Sequence, residues 1–170
     1  DVPERMASDG SVLQPLDEDF LRHLVSELKN KGIQAIAVCY LHSYRNPKHE
    51  EKTAEIIAEI APEIRVSLSC QVDSEIREFQ RTSTTVVNAY LGPIVRGYID
   101  SLVKQFDDSG IQSPVRIMQS NGGIMSAARA SETPVQIIES GPAAGVVAGH
   151  EVGTRIGLEN LITFDMGGTT

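Results

Sequence analysis

The strongest constraint on this chain is an alternation of two periodicities, helical and extended, along its length. Asp17 can cap a helix reaching about Lys31, with Phe20, Leu21, Leu24, Val25 and Leu28 on one apolar face and Gly32 ending it. Residues 33–41 then form a nearly continuous apolar run, which suits a strand buried on both faces, as in parallel sheets. Asn46-Pro47 reads as an N-cap followed by proline at the first helical position. That helix runs to about Ala61, where Pro62 stops it. Ile64 to Leu68 is a second short strand. Glu75 through about Phe106 is largely helical, and Gly92-Pro93 is expected to break or kink it into two segments.

Val115 to Met118 is a third strand, closed by Gln119-Ser120-Asn121-Gly122-Gly123. After an irregular stretch, Val135 to Glu139 reads as a short extended segment. Ser140-Gly141-Pro142 opens a small-residue helix to about Gly157, and Leu161 to Phe164 is the last strand, with Asp165 at its carboxyl end. Helices alternating with buried strands imply an α/β fold, a mostly parallel sheet with flanking helices.

The terminal Asp165-Met166-Gly167-Gly168-Thr169-Thr170 carries the clearest chemistry. A strand fixes the Asp carboxylate at a sheet edge, and two glycines let the backbone turn sharply and approach a ligand with no Cβ in the way. Backbone N–H groups and threonine hydroxyls can converge there on phosphate oxygens, while the carboxylate holds a hydrated Mg²⁺. Ligands of open α/β sheets bind beyond the carboxyl ends of strands, where this turn is expected to lie. No Gly-x-x-x-x-Gly-Lys-Ser/Thr and no Gly-x-Gly-x-x-Gly occurs. The alternative is a tight turn whose Asp caps its own loop.

Three further stretches admit two readings each. In Ser140-Gly141-Pro142-Ala143-Ala144-Gly145-Val146-Val147-Ala148-Gly149, Ser140 is a candidate N-cap, and the helix start at Gly141 attracts anions. Gly145, Gly149 and Gly153 fall four apart, so one face is nearly bare, for close packing or for a ligand. Ser120 and Asn121 can line a polar pocket or simply make a turn. The polar run from Gln80 to Thr85 sits oddly in a helix. There Arg77 and Arg81 can present two cations on one face, or Glu78 can pair with either on a solvated helix.

Charge and composition exclude other classes. A net charge of −8, from 23 acidic and 15 basic residues, argues against nucleic-acid binding, which needs a basic surface. No stretch approaches the roughly 20 apolar residues of a membrane span. The polar start Asp1-Val2-Pro3-Glu4-Arg5 is unlike a signal peptide, and without an initiator Met the chain reads as processed or excised. Cys39 and Cys70 have no paired spacing and read as reduced thiols of a cytoplasmic protein. Neither His-x-x-x-His nor Cys-x-x-Cys occurs, which leaves no local zinc site.

Several stretches together resemble one family. They are residues 35–44, Asn46-Pro47-Lys48-His49-Glu50, residues 81–91 (Arg-Thr-Ser-Thr-Thr-Val-Val-Asn-Ala-Tyr-Leu), Met118-Gln119-Ser120-Asn121-Gly122-Gly123, residues 140–147, and Thr163-Phe164-Asp165-Met166-Gly167-Gly168-Thr169. All occur in this order in the hydantoinase A / 5-oxoprolinase family. The resemblance implies an actin/sugar-kinase/Hsp70-like (ribonuclease H-like) ATPase fold and ATP with Mg²⁺ as cofactors. It implies a cyclic amide as substrate, its oxygen phosphorylated so that water attacks the ring carbon, and a hydantoinase B-like partner subunit. On this reading residues 1–157 are the late part of a first domain, and residues 158–170 open the second with its phosphate loop.

Asp165, Gly167, Gly168, Thr169, Thr170 and Gly141 would hold the nucleotide, with Asp165 toward Mg²⁺. Arg81, Asn88, Ser120 and Asn121 are the pocket candidates. Thr170 stands where the family often has Ser, keeping the hydroxyl. Acetone- or acetophenone-type carboxylase chemistry is the alternative within the resemblance, and a non-catalytic nucleotide-sensing domain is the alternative outside it.

Overall fold

The computed structural model describes residues 1–167, which fall into two compact units, Asp1–Ile94 and Val95–Thr170. In the first unit a short antiparallel pair, β1 (Arg5–Met6) and β2 (Val12–Gln14), precedes α1 (Glu18–Asn30). Asp17 caps α1 as expected, accepting the Phe20 N–H at 2.9 Å, and Gly32 takes the left-handed conformation just beyond it at φ +70. There follow β3 (Ala35–Val38), α2 (Lys48–Ile60), β4 (Arg65–Leu68) and α3 (Ser69–Val72). Asn46 accepts the Lys48 N–H at 3.2 Å beside the start of α2, but Pro47, expected at the first helical position, stands at the cap position itself, with no side-chain cap.

β3 and β4 pair in parallel, Ala35 opposite Arg65 through Val38 opposite Leu68, with α2 as the crossover. Leu21 and Val25 of α1 and Ile56 and Ile57 of α2 close over the pair. With Val38, Ala61, Ile64 and Leu68 they make one buried cluster. Burial of each large aliphatic side chain there is worth about 1.5–3 kcal/mol. The expected burial of residues 33–41 on both faces is corrected: only Val38 of β3 is fully buried. A two-stranded pair leaves most of its strands half covered.

α4 (Glu78–Asp108) is one helix of 31 residues, which corrects the expected break at Gly92-Pro93. Proline removes the bond to the Ala89 carbonyl at about 3 kcal/mol. Anchors on both sides outweigh that cost, with Arg81, Thr85, Asn88 and Ala89 buried before the proline and Ile99 after it. Within the polar run Thr84 and Thr85 satisfy their hydroxyls without leaving the helix, donating to the Gln80 and Arg81 carbonyls, four residues back, at 2.9 and 2.7 Å.

The second unit contains β5 (Arg116–Met118), β6 (Ile124–Ser126), α5 (Ala127–Glu132) and α6 (Ser140–Arg155). Its core is Ile99, Met125 and Ala130. β5 and β6 are antiparallel, since the short Gln119–Gly123 connection permits only a hairpin. Among the described residues, then, the expected mostly parallel sheet is represented by β3 and β4 alone. Residues Pro134–Ile137 form a 3-10 turn where an extended segment was expected, because Thr133 accepts the Gln136 N–H and closes the turn. Glu139, and not Ser140, stands at the start of α6 and makes no side-chain cap.

The expected strand at Leu161–Phe164 is not formed among the described residues. A strand needs a neighbour for its backbone groups. Instead this segment doubles back along α6, with Ile162 and Phe164 largely exposed. No described helix is long and apolar enough to cross a membrane.

Candidate functional site

Two places carry the chemistry, one in each unit. In the first, the loops that leave the carboxyl ends of β3 and β4 are tied together by Glu50, on the first turn of α2. Its side chain is fully buried. One carboxylate oxygen accepts the Tyr40 N–H at 2.9 Å and the Ser69 hydroxyl at 2.6 Å, and the other accepts the Cys70 N–H at 2.9 Å. Because Ser69 spends its only proton on Glu50, Ser43 must donate to Ser69 across their 3.0 Å contact.

Arg81 completes this clamp from α4. Its side chain is 1% exposed, and it donates from Nη2 to the Tyr40 carbonyl at 2.8 Å and from Nη1 to the Glu75 carbonyl at 2.9 Å. Tyr40 is thus held at its N–H by Glu50 and at its carbonyl by Arg81. The guanidinium carbon lies 5.5 Å from the Tyr44 ring centroid, and the His42 ring meets Tyr44 edge-on at 6.0 Å. His42 has φ +59, a left-handed backbone uncommon outside glycine, and its Nδ1 and the Arg81 Nε are buried without a hydrogen-bond partner. Asn88 donates to the Ser67 hydroxyl at 3.0 Å.

Of the sequence candidates, Arg81 and Asn88 therefore share the buried face of α4 against the parallel pair. The two readings of Arg81 as a surface cation or as a partner of Glu78 are both corrected, since a guanidinium with backbone carbonyls to bind is stabilised inside. Sequence reasoning left out Glu50, Ser43 and Ser69. Acidic residues in a first helical turn are ordinary, and nothing local marks Glu50 as the one that turns inward.

Cys70 sits against the same carboxylate. Burial, and then the charge of Glu50, push its thiol up to about 12; burial also raises Cys39 and Tyr40. Since the thiolate is the nucleophile, Cys70 should resist iodoacetamide at pH 8 in the folded protein and react on addition of urea. In the unfolded chain this thiol titrates near its ordinary 9.0, so the protonated native form is favoured fully below that value. Stability should fall as pH climbs from about 9 to about 12, visible as a falling urea midpoint. Native-state labelling at the unfolded rate would contradict this.

In the second unit, Ser120 sits beside the start of α6. It accepts the Glu139 N–H at 3.0 Å and donates its own N–H to the Gln136 carbonyl at 2.8 Å. Asn121 accepts the Gly123 N–H at 2.8 Å, and Gly122 has φ +84, so this stretch is a hairpin turn docked on α6. Gly141 is exposed, and a Cβ there would meet nothing within 4 Å. Asp165 and Gly167 are exposed. Gly168, Thr169 and Thr170 lie outside the described residues.

Two family profiles cover most of the chain. Residues 1–61 match the hydantoinase/oxoprolinase N-terminal region, and residues 81–170 match hydantoinase/oxoprolinase itself. The chain belongs to the hydantoinase/oxoprolinase family. Among members, it is 40% identical to the caprolactamase subunit alpha of Pseudomonas jessenii over 98% of its own length and 24% of that protein. It is 38% identical to 5-oxoprolinase 1 of Arabidopsis thaliana over 94% of its length and 12% of that protein. Its backbone matches the crystal structure of the ATP-dependent caprolactamase from Pseudomonas jessenii with a TM-score of 0.87, over 99% of this chain and 24% of that one. The nucleotide-free structure of an ATP-dependent acetone carboxylase matches at 0.81 with 29% identity, over 92% of this chain and 22% of that one. The chain thus spans about a quarter or less of the length of the relatives it matches.

Proposed function

We propose that this chain is an interior segment of the ATP-binding subunit of an ATP-dependent cyclic amide hydrolase. The observation that carries this is the likeness to the caprolactamase, which extends over nearly the whole chain in both sequence and backbone. On this reading the subunit has the actin/sugar-kinase-like fold, and segments outside this chain complete a mostly parallel sheet around β3 and β4. Residues 1–157 belong to the first domain and residues 158–170 open the second. The subunit works in the cytoplasm beside a hydantoinase B-like partner, as "subunit alpha" in the name of the Pseudomonas relative suggests.

Asp165, Gly167, Gly168, Thr169 and Thr170 would grip the nucleotide phosphates, with the Gly141 backbone at the start of α6. The residues present suit such a ligand. The first turn of α6 has no side-chain cap and no acidic residue, and the space beside Gly141 is open. Among the described residues no group of three metal-ligating side chains occurs. Mg²⁺ needs none, since it keeps its waters and takes one or two carboxylates plus phosphate oxygens, the role left to Asp165. ATP bound there would supply the phosphoryl group that makes an amide carbon electrophilic. In the first unit Arg81 would hold the loop after β3 in place and Asn88 would brace β4 at Ser67; in the second, Ser120 and Asn121 would fix the hairpin beside α6.

A ketone carboxylase subunit is the second reading, favoured by the acetone carboxylase likeness at the lower identity of 29%. The longer protein, with its partner, should release ADP when offered a lactam or cyclic imide and not when offered a ketone with bicarbonate. ADP release with the ketone pair alone would reverse the order of the two readings.

A further inference from the structure

Beyond α6 the chain turns at Gly157, φ +78, and Leu158 donates its N–H to the Gly153 carbonyl at 2.9 Å. It then runs back along the helix. A Cβ on Gly153 would collide with the Leu161 Cδ2 methyl, and one on Gly149 would lie 2.7 Å from the Thr163 Cγ2 methyl, whereas one on Gly145 would meet nothing within 4 Å. Leu161 and Thr163 thus rest on bare helix backbone, with the segment antiparallel to α6.

The two periods match. Four helical residues advance about 6 Å, and two extended residues advance about 6.6 Å. Each step of two along the segment therefore keeps pace with one glycine of α6. Leu161 and Thr163 share the face on α6, and alternation would carry Asp165 and Gly167 on the same side. Ile162, Phe164 and Met166 take the other, at 94%, 82% and 82% exposure against 38% for Leu161. Carried two steps beyond Thr163, the register sets Asp165 level with Gly145 and Gly167 level with Gly141.

We propose that Gly149 and Gly153 are positioning residues for the nucleotide turn: they seat the returning segment on the α6 backbone and so fix where Asp165 stands. The inference rests on the phosphate-turn reading above, and adds residues that touch neither nucleotide nor substrate. It separates two kinds of glycine on one helix face, those the segment lies on and Gly145, which it does not touch.

The test has two arms. In the longer protein, Gly149→Ala should weaken ATP binding about tenfold by calorimetry. Thr163→Ser, which removes the opposing methyl, should restore Gly149→Ala to within about twofold, a coupling that general destabilisation would not produce. Gly145→Ala should leave affinity unchanged. Unaltered affinity in Gly149→Ala, or no rescue by Thr163→Ser, would overturn the positioning role. The second arm reads register without nucleotide. Gly149→Cys with Thr163→Cys should form a disulfide under mild oxidation, and Gly145→Cys with Leu161→Cys, about 13 Å out of step, should not. The reverse pattern would overturn the register. Failure of the unsubstituted protein to bind ATP, with the cysteine pairs still cross-linking as expected, would overturn the functional reading while upholding the register.

Discussion

Replacing Glu50 with Ala is expected to cost about 3–5 kcal/mol of unfolding free energy. Three donors converge on this carboxylate, from Tyr40, Ser69 and Cys70. Each loses its acceptor, Ser69 in a buried place and Tyr40 and Cys70 in half-buried ones, at up to about 1–3 kcal/mol apiece, while relief from burying a charge offsets part of the sum. Ser43 is left bonded to a hydroxyl that has itself lost its acceptor. Glu50→Gln keeps the shape and one acceptor oxygen, so its loss should be about half as large. The readout is the hydrogen-exchange protection of β3 and β4, whose loops the carboxylate ties together. Protection unchanged in Glu50→Ala would show that the loops stand without it.

The second large effect concerns activity. In the longer protein, Asp165→Ala should lower substrate-dependent ATP turnover by about a hundredfold to a thousandfold, the loss typical when a preorganised electrostatic group is removed from a reacting centre. Asp165 is exposed and the described residues of its unit do not depend on it for packing, so the variant should keep its thermal stability. A fall in turnover with unchanged stability assigns the carboxylate to the nucleotide. Activity that survives the substitution would instead favour a nucleotide-sensing domain whose chemistry lies elsewhere.

Local signals made much of the fold legible. Asp17, Gly32 and Asn46-Pro47 mark the limits of α1 and α2 because caps depend on a few adjacent residues. The short strands β3, β4 and β5 fall inside the runs that suggest them. Pro93 misleads because a helix tolerates a proline when buried anchors on both sides hold it, and those anchors are tertiary. Residues 161–164 mislead for the opposite reason: a strand pattern forms a strand only beside another strand, and here the partner surface is the backbone of α6.

The candidate sites divide in the same way. Asn121 and Gly122 behave as a turn because turn chemistry is local. Arg81 drew attention as a cation inside a polar run, but its role as the buried clamp of Tyr40 depends on a contact 41 residues away. Glu50 and Ser69 were silent for that reason too. The glycines of α6 were legible as a bare face, yet only the returning segment shows what lies on two of them.

The central claim is that the protein carrying this chain uses ATP to open a cyclic amide. It is tested most directly by supplying the longer protein and its partner with a lactam labelled with heavy oxygen at the carbonyl, and following the label. If the amide oxygen takes the phosphoryl group before water attacks, inorganic phosphate should acquire label in step with ADP release. Label kept wholly in the product carboxylate, with ATP consumed at the same rate, would contradict that account.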